Sequence, residues 1–77
     1  MYIKTQNNLL INCDKVSYFR VSNHYSEGVY DYIEAVIDSN HIKIYEGKEI
    51  DVRDAFNEIS MGLIRGASLI DYSRIGD

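Results

Sequence analysis

From Asp31 to Ile37 the side chains alternate one by one, Asp31, Ile33, Ala35 and Ile37 on one face and Tyr30, Tyr32, Glu34 and Val36 on the other, within a predicted strand from Val29 to Asp38. That is the period of a half-buried β-strand. At Gly47 the period changes. Val52, Ala55, Phe56, Ile59 and Leu63 recur at spacings of three, four and seven, and at about 100° per residue they form one apolar helical stripe. A chain of 77 residues has room for one small core. The predicted class is therefore α+β, a single domain over residues 1–77: an antiparallel meander of four or five strands with one C-terminal helix packed on one face.

The remaining strands are predicted at Met1 to Thr5, Leu9 to Cys13, Val16 to Ser22 and His41 to Glu46. Gln6-Asn7-Asn8 and Ser39-Asn40 supply turn chemistry between them, and Asn23 to Gly28 reads as a loop. Asp51 is the expected N-cap of the helix. Its end has two readings: Gly66 is a left-handed cap, or the helix runs on toward Tyr72 with Gly62 and Gly66 on the inner stripe. The apolar run Leu9-Leu10-Ile11 is far too short for a spanning helix or a signal peptide, which places the protein in the cytoplasm and off the membrane. Cys13 is the sole cysteine, so no internal disulfide and no thiolate-rich zinc site is expected.

Charge is uneven along the chain. Met1 to Ser26 carries Lys4, Lys15 and Arg20 against Asp14, a net +2. Glu27 to Glu58 carries Glu27, Asp31, Glu34, Asp38, Glu46, Glu49, Asp51, Asp54 and Glu58 against Lys43, Lys48 and Arg53, a net −6. An acidic middle repels phosphate backbones and disfavours direct nucleic-acid binding. A basic protein surface is its natural complement.

No catalytic constellation is visible. His24 and His41 have no second ligand or acid at a useful spacing and read as solvent-exposed polar residues. Cys13 reads as a small hydrophobe. There is no glycine-rich phosphate loop, and an acid/base carboxylate pair needs an apolar cleft that a fold this small has little room to build. The expectation is a protein that is not an enzyme and that holds neither metal nor cofactor.

Surface contacts carry more information. If Phe19, Val21, Ile33, Ala35, Ile37, Ile42 and Ile44 face the helix, alternation turns Tyr18, Arg20, Tyr30, Tyr32, Glu34, Val36, Lys43 and Tyr45 to the other side. Four tyrosines on one open face suit a protein interface. They also suit plain decoration of a half-exposed sheet, or cover by Leu69, Ile70 and Ile75. Met61 and Ile64 fall opposite the inner stripe and form a candidate contact for a weak homodimer. The expected partner-binding set is thus Tyr18, Tyr30, Tyr32, Tyr45 and the acids Glu27, Asp31, Glu34, Asp38, Glu46, Glu49, Asp54 and Glu58.

The opening Met1-Tyr2-Ile3-Lys4-Thr5-Gln6, the segment Leu10 to Val16, the stretch Tyr32-Ile33-Glu34-Ala35 and the closing helix together resemble a group of very small proteins carried by phages and integrative elements of Gram-positive bacteria. The resemblance spans about the first sixty residues and brings no catalytic residues; Met61 to Asp77 has no counterpart in it. It implies a bacterial host cell and a likeness in kind to anti-defence proteins, anti-CRISPR proteins among them. The expected function is a protein that binds and inhibits a bacterial defence or nucleic-acid-processing enzyme by occluding its basic groove. Two alternatives stand beside it: a homo-oligomeric accessory protein with no enzyme target, and a protein that sequesters a small nucleotide between tyrosines and Arg20.

Overall fold

Asn8 adopts a left-handed backbone (φ 67°) and closes the first turn, as an amide side chain in such a run favours. Thr5 donates its N–H to the Leu9 carbonyl at 2.8 Å and accepts the Leu9 N–H on Oγ1 at 3.0 Å, so it is fully buried with both groups satisfied. The computed structural model describes residues 1–23 and 31–74. Among these, the chain forms β1 (Tyr2–Lys4), β2 (Leu10–Asn12), a short 3-10 turn (Cys13–Lys15), β3 (Tyr18–Asn23), β4 (Asp31–Ile37), β5 (Asn40–Gly47), α1 (Glu49–Arg65) and β6 (Leu69–Asp71).

The α+β class is as expected, but the strands divide into two sheets of three, ordered β2-β1-β6 and β3-β4-β5, and not into one meander. The 3-10 turn is where the meander breaks. Asn12 Oδ1 accepts the Asp14 N–H at 3.0 Å and caps that turn, redirecting the chain before β3 begins. The open side of β1 is then taken by β6, which pairs with it in parallel through Tyr2↔Leu69, Ile3↔Ile70 and Lys4↔Asp71. Gln6 joins the two sheets. Its backbone N–H donates to the Ile44 carbonyl at 3.1 Å, and its side-chain amide grips Glu46 on both sides, Oε1 accepting the Glu46 N–H at 2.8 Å and Nε2 donating to the Glu46 carbonyl at 3.2 Å.

In the β4–β5 hairpin the turn residues are Asp38 (φ 48°) and Ser39 (φ 69°), with Ile37 opposite Asn40. The turn sits one residue before the expected Ser39-Asn40 pair, because two consecutive positive φ values match the twist of the flanking strands and Asn40 opens β5. Further along, Ile33 pairs with Tyr45 and Glu34 with Lys43, leaving Ile44 as an extra residue in a β-bulge. Alternation is lost there. Tyr45, expected on the open face, turns inward to 7% exposure, and Ile44 is buried as well.

The helix begins at Glu49 with Lys48, not Asp51, at the N-cap, and no side chain caps it. It ends at Gly66, whose left-handed backbone (φ 74°) matches the first of the two readings, and the Ala67 N–H donates to the Gly62 carbonyl at 2.9 Å. Val52, Ala55, Ile59 and Gly62 form the buried stripe, with Phe56 half-buried beside them. Leu63 is 48% exposed and lies outside the core. Gly62 is packed closely instead: a Cβ there would stand 2.9 Å from Met1 Sδ and 3.2 Å from Ile70 Cδ1, so the buried stripe ends on Gly62 and not on Leu63. No helix among the described residues is long and apolar enough to cross a membrane.

Ile59→Ala should destabilise by about 2–5 kcal/mol, whereas Leu63→Ala should cost under about 1 kcal/mol, both read by urea unfolding. Gln6→Ala, which strips both partners from Glu46, should cost about 1–2 kcal/mol and speed hydrogen exchange at the Glu46 amide.

Candidate functional site

On the open face of β3-β4-β5 most charges are already spent on one another. Glu34, central on β4, has Arg20 opposite it on β3 and Lys43 opposite it on β5. It is only 8% exposed. One carboxylate oxygen, Oε1, meets Arg20 Nε at 3.2 Å and His41 Nδ1 at 3.0 Å. Val36 is buried on the same face between its cross-strand neighbours Tyr18 and His41. Lys43 reaches Glu46 Oε2 at 3.2 Å and lies 5.2 Å from the Tyr32 ring centre, a cation–π contact.

Of the expected partner-binding residues, this face therefore brings together Tyr18, Tyr32, Glu34 and Glu46, and among them only Tyr18 is more than half exposed. Tyr45 is removed from it by the bulge. Glu34 is a buried, paired carboxylate and not a free contact. Asp31 is half-buried on β4 and Asp38 is exposed in the hairpin turn. Glu27, Tyr30 and His24 lie outside the described residues, as do the Asn23 to Gly28 loop beyond Asn23 and Ile75. Arg20, which a nucleotide held between tyrosines would require, is committed to Glu34.

The helix carries a different set. Glu49 is paired with Arg53 at 2.9 Å, an exposed contact of small energetic weight. Asp51, Asp54 and Glu58, at spacings of three and four, fall within about 60° of one another around the axis, and all three are exposed. No cation bridges any of them among the described residues. Met61 and Ile64 are exposed as their helical positions predict, Ile64 at 77%.

Beside this stripe runs a groove of about 430 Å³ between the C-terminal half of α1 and β6. Met61, Gly62, Ala67, Leu69 and Ile70 make its apolar lining, with Glu58 and Asp71 at one end and Arg65 at the other. Glu58 is oriented by Tyr72, whose hydroxyl donates to Glu58 Oε1 at 2.8 Å and approaches the Ala55 carbonyl at 3.2 Å. The Tyr72 ring in turn packs on Tyr45, centres 5.2 Å apart. Asp71 Oδ1 accepts from both Ser73 Oγ, at 2.6 Å, and Ser73 N–H, at 2.9 Å. These bonds hold its carboxyl below the ordinary aspartate range, and Lys4 and Arg74 nearby act in the same direction. Burial pushes the Tyr72 phenol far above its ordinary value, and the Glu58 carboxylate beside it adds to the shift.

Sequence reading missed the β6 side of this groove. Three residues, Leu69 to Asp71, are too few to show a period, although Gly66 just before them announces a chain reversal. Elsewhere, burial pushes the Cys13 thiol up, which suits its buried packing role. Among the described residues no three His, Cys, Asp or Glu side chains gather as a metal site. Among protein families, curated proteins and solved structures, nothing matches the chain.

A phenol whose pKa is raised by folding contributes its stabilisation in full below the unfolded tyrosine pKa of about 10, and that contribution is lost as the pH rises beyond it. Tyr72→Phe should therefore lower stability by about 0.5–1.5 kcal/mol at neutral pH and flatten the fall in stability above pH ~10, measured by urea unfolding at stepped pH.

Proposed function

We propose that the protein is a non-enzymatic binding protein whose partner presents a basic protein surface. The observation that carries this reading is the exposed helix face of Asp51, Asp54 and Glu58, which has no bridging cation among the described residues while Glu34, Glu46 and Glu49 are each engaged. An uncompensated stripe of one sign accelerates encounter with a surface of the other and is screened by salt. The target class is a bacterial defence or nucleic-acid-processing enzyme, whose phosphate-binding groove is the commonest strongly basic surface that a small acidic protein can occlude. Such a target implies a bacterial cytoplasm, the setting expected from the likeness to phage and mobile-element proteins. A second reading is favoured by Ile64: so exposed an isoleucine beside Met61 suits self-association through α1, and a strictly monomeric sedimentation profile at high concentration would remove it.

The test is capture from a host lysate at low and high salt. The wild-type chain should retain a saturable, salt-sensitive protein partner. The Asp51→Lys/Asp54→Lys variant should bind that partner at least about tenfold more weakly at low salt, with cooperative thermal unfolding retained at a midpoint a few degrees lower, since Asp51 favours the N-terminal turn of α1. Equal retention by the variant would sink the reading.

A further inference from the structure

Ile50, Asn57 and Ile64 stand seven residues apart on α1, with Asp54 and Met61 between them. At about 100° per residue all five fall within about 40° of one line along the helix, and all five are exposed. Ile50 lies at one end of this line at 57% exposure and Ile64 at the other at 77%. Charges border it on one side. Asp51 in the first turn and Arg65 in the last lie about 60–100° round from the line in the same direction, and neither has an ion-pair partner among the described residues. An unpaired acid at the start and an unpaired base at the end make this flank complementary to itself run backwards.

We infer that α1 pairs antiparallel with the α1 of a second copy, about a two-fold axis near Asn57, and that this pairing covers the acidic stripe. It rests on the self-association through α1 that Ile64 favours, and adds to it a polarity, a register and a consequence for partner binding. A two-fold axis across the helices sets each flank against its own reverse. Ile50 then seats on Ile64 of the second copy, and Asp51 meets the Arg65 of the second copy, each contact made twice by symmetry. Asn57 meets Asn57 at the axis, where two amides can satisfy each other. Glu58, which would also approach its own copy, is turned aside to the Tyr72 hydroxyl at 2.8 Å. Parallel pairing is the poorer solution, because it sets Asp54 against Asp54 and Asp51 against Asp51 and aligns the two helix dipoles. A contact made by one helix about 25 Å long lies at the low end of specific interfaces, so the dimer is weak and concentration-dependent. Asp51 and Asp54 are inside it. A chain in the dimer therefore cannot offer them to a basic surface, and the monomer is the form that binds a partner.

Sedimentation equilibrium of the full chain should show a monomer–dimer equilibrium at high concentration that weakens with salt. Asp51→Arg and Arg65→Asp should each weaken the dimer at least about tenfold, and the chain carrying both should recover it, because the ion pair is restored with its sense reversed. Recovery is confined to antiparallel pairing, since in a parallel dimer each position meets its own copy. Both positions are exposed, and cooperative thermal unfolding checks the fold of each variant. A monomeric wild type, or a double variant no tighter than the single ones, overturns the inference. Ile50→Gln/Ile64→Gln removes the apolar ends without adding charge and should be monomeric. At a concentration where the wild type is mostly dimeric, it should retain more of the lysate partner per chain, and equal retention refutes the exclusion. If neither chain retains a partner while charge reversal still restores the dimer, the basic-surface reading and the exclusion fall together and the antiparallel dimer stands.

Discussion

The contact between Tyr45 and Tyr72 is the junction on which the arrangement depends. Tyr45 belongs to β5, Tyr72 follows β6, and the Tyr72 hydroxyl reaches α1 at Ala55 and Glu58. One pair of rings thus ties both sheets to the helix. It exists because the bulge at Ile44 shifts the pairing by one residue and turns Tyr45 inward. Without that extra residue Tyr45 would stand beside Lys43 on the open face, and Tyr72 would have no ring to pack on. With the pairing of β6 on β1, that contact holds the segment that lines the groove beside the helix.

The distribution of charge follows from this geometry. On the β3-β4-β5 sheet Glu34 has Arg20 and Lys43 as cross-strand partners and Glu46 is met by Lys43 on its own strand, and a buried Glu34 tolerates its position because Arg20 and His41 meet it. On the helix, the axis sets which acids are neighbours. Glu49 finds Arg53 one turn on, but Asp54 and Glu58 have no basic residue three or four positions away, and Lys48, three before Asp51, forms no ion pair with it. A net charge of −6 over the middle of the sequence thus resolves into a largely neutralised sheet and an acidic helix flank.

Much of this was legible in the residues. The period fixes β4, β5 and α1, Gly66 marks where the helix stops, and helical angle alone places Met61 and Ile64 outside. The bulge left no mark, since Ile44 is an ordinary strand residue with no glycine or proline to betray an irregularity, and Tyr45 was assigned to the wrong face in consequence. The division into two sheets was hidden for a different reason. It depends on a parallel pairing between the first and last strands, and local pattern carries no information about partners nearly seventy positions apart. Leu63 fits the stripe by spacing, but the buried position at that end of the helix is Gly62, closely packed against Met1 and Ile70.

That parallel pairing also orders events in time. β1 is the central strand of its sheet, yet one of its two neighbours is made from residues 69–71, close to the far end of the chain. The β3-β4-β5 sheet closes through short sequence separations, whereas the β2-β1-β6 sheet must bring residues 69–71 to residues 2–4, a step with a larger loop-closure cost and a slower rate. On a ribosome β1 and β2 are made well before β6, which supplies the other neighbour of β1. The groove, being built on β6, therefore forms only once residues 69–71 have joined β1, later than the sheet that closes locally.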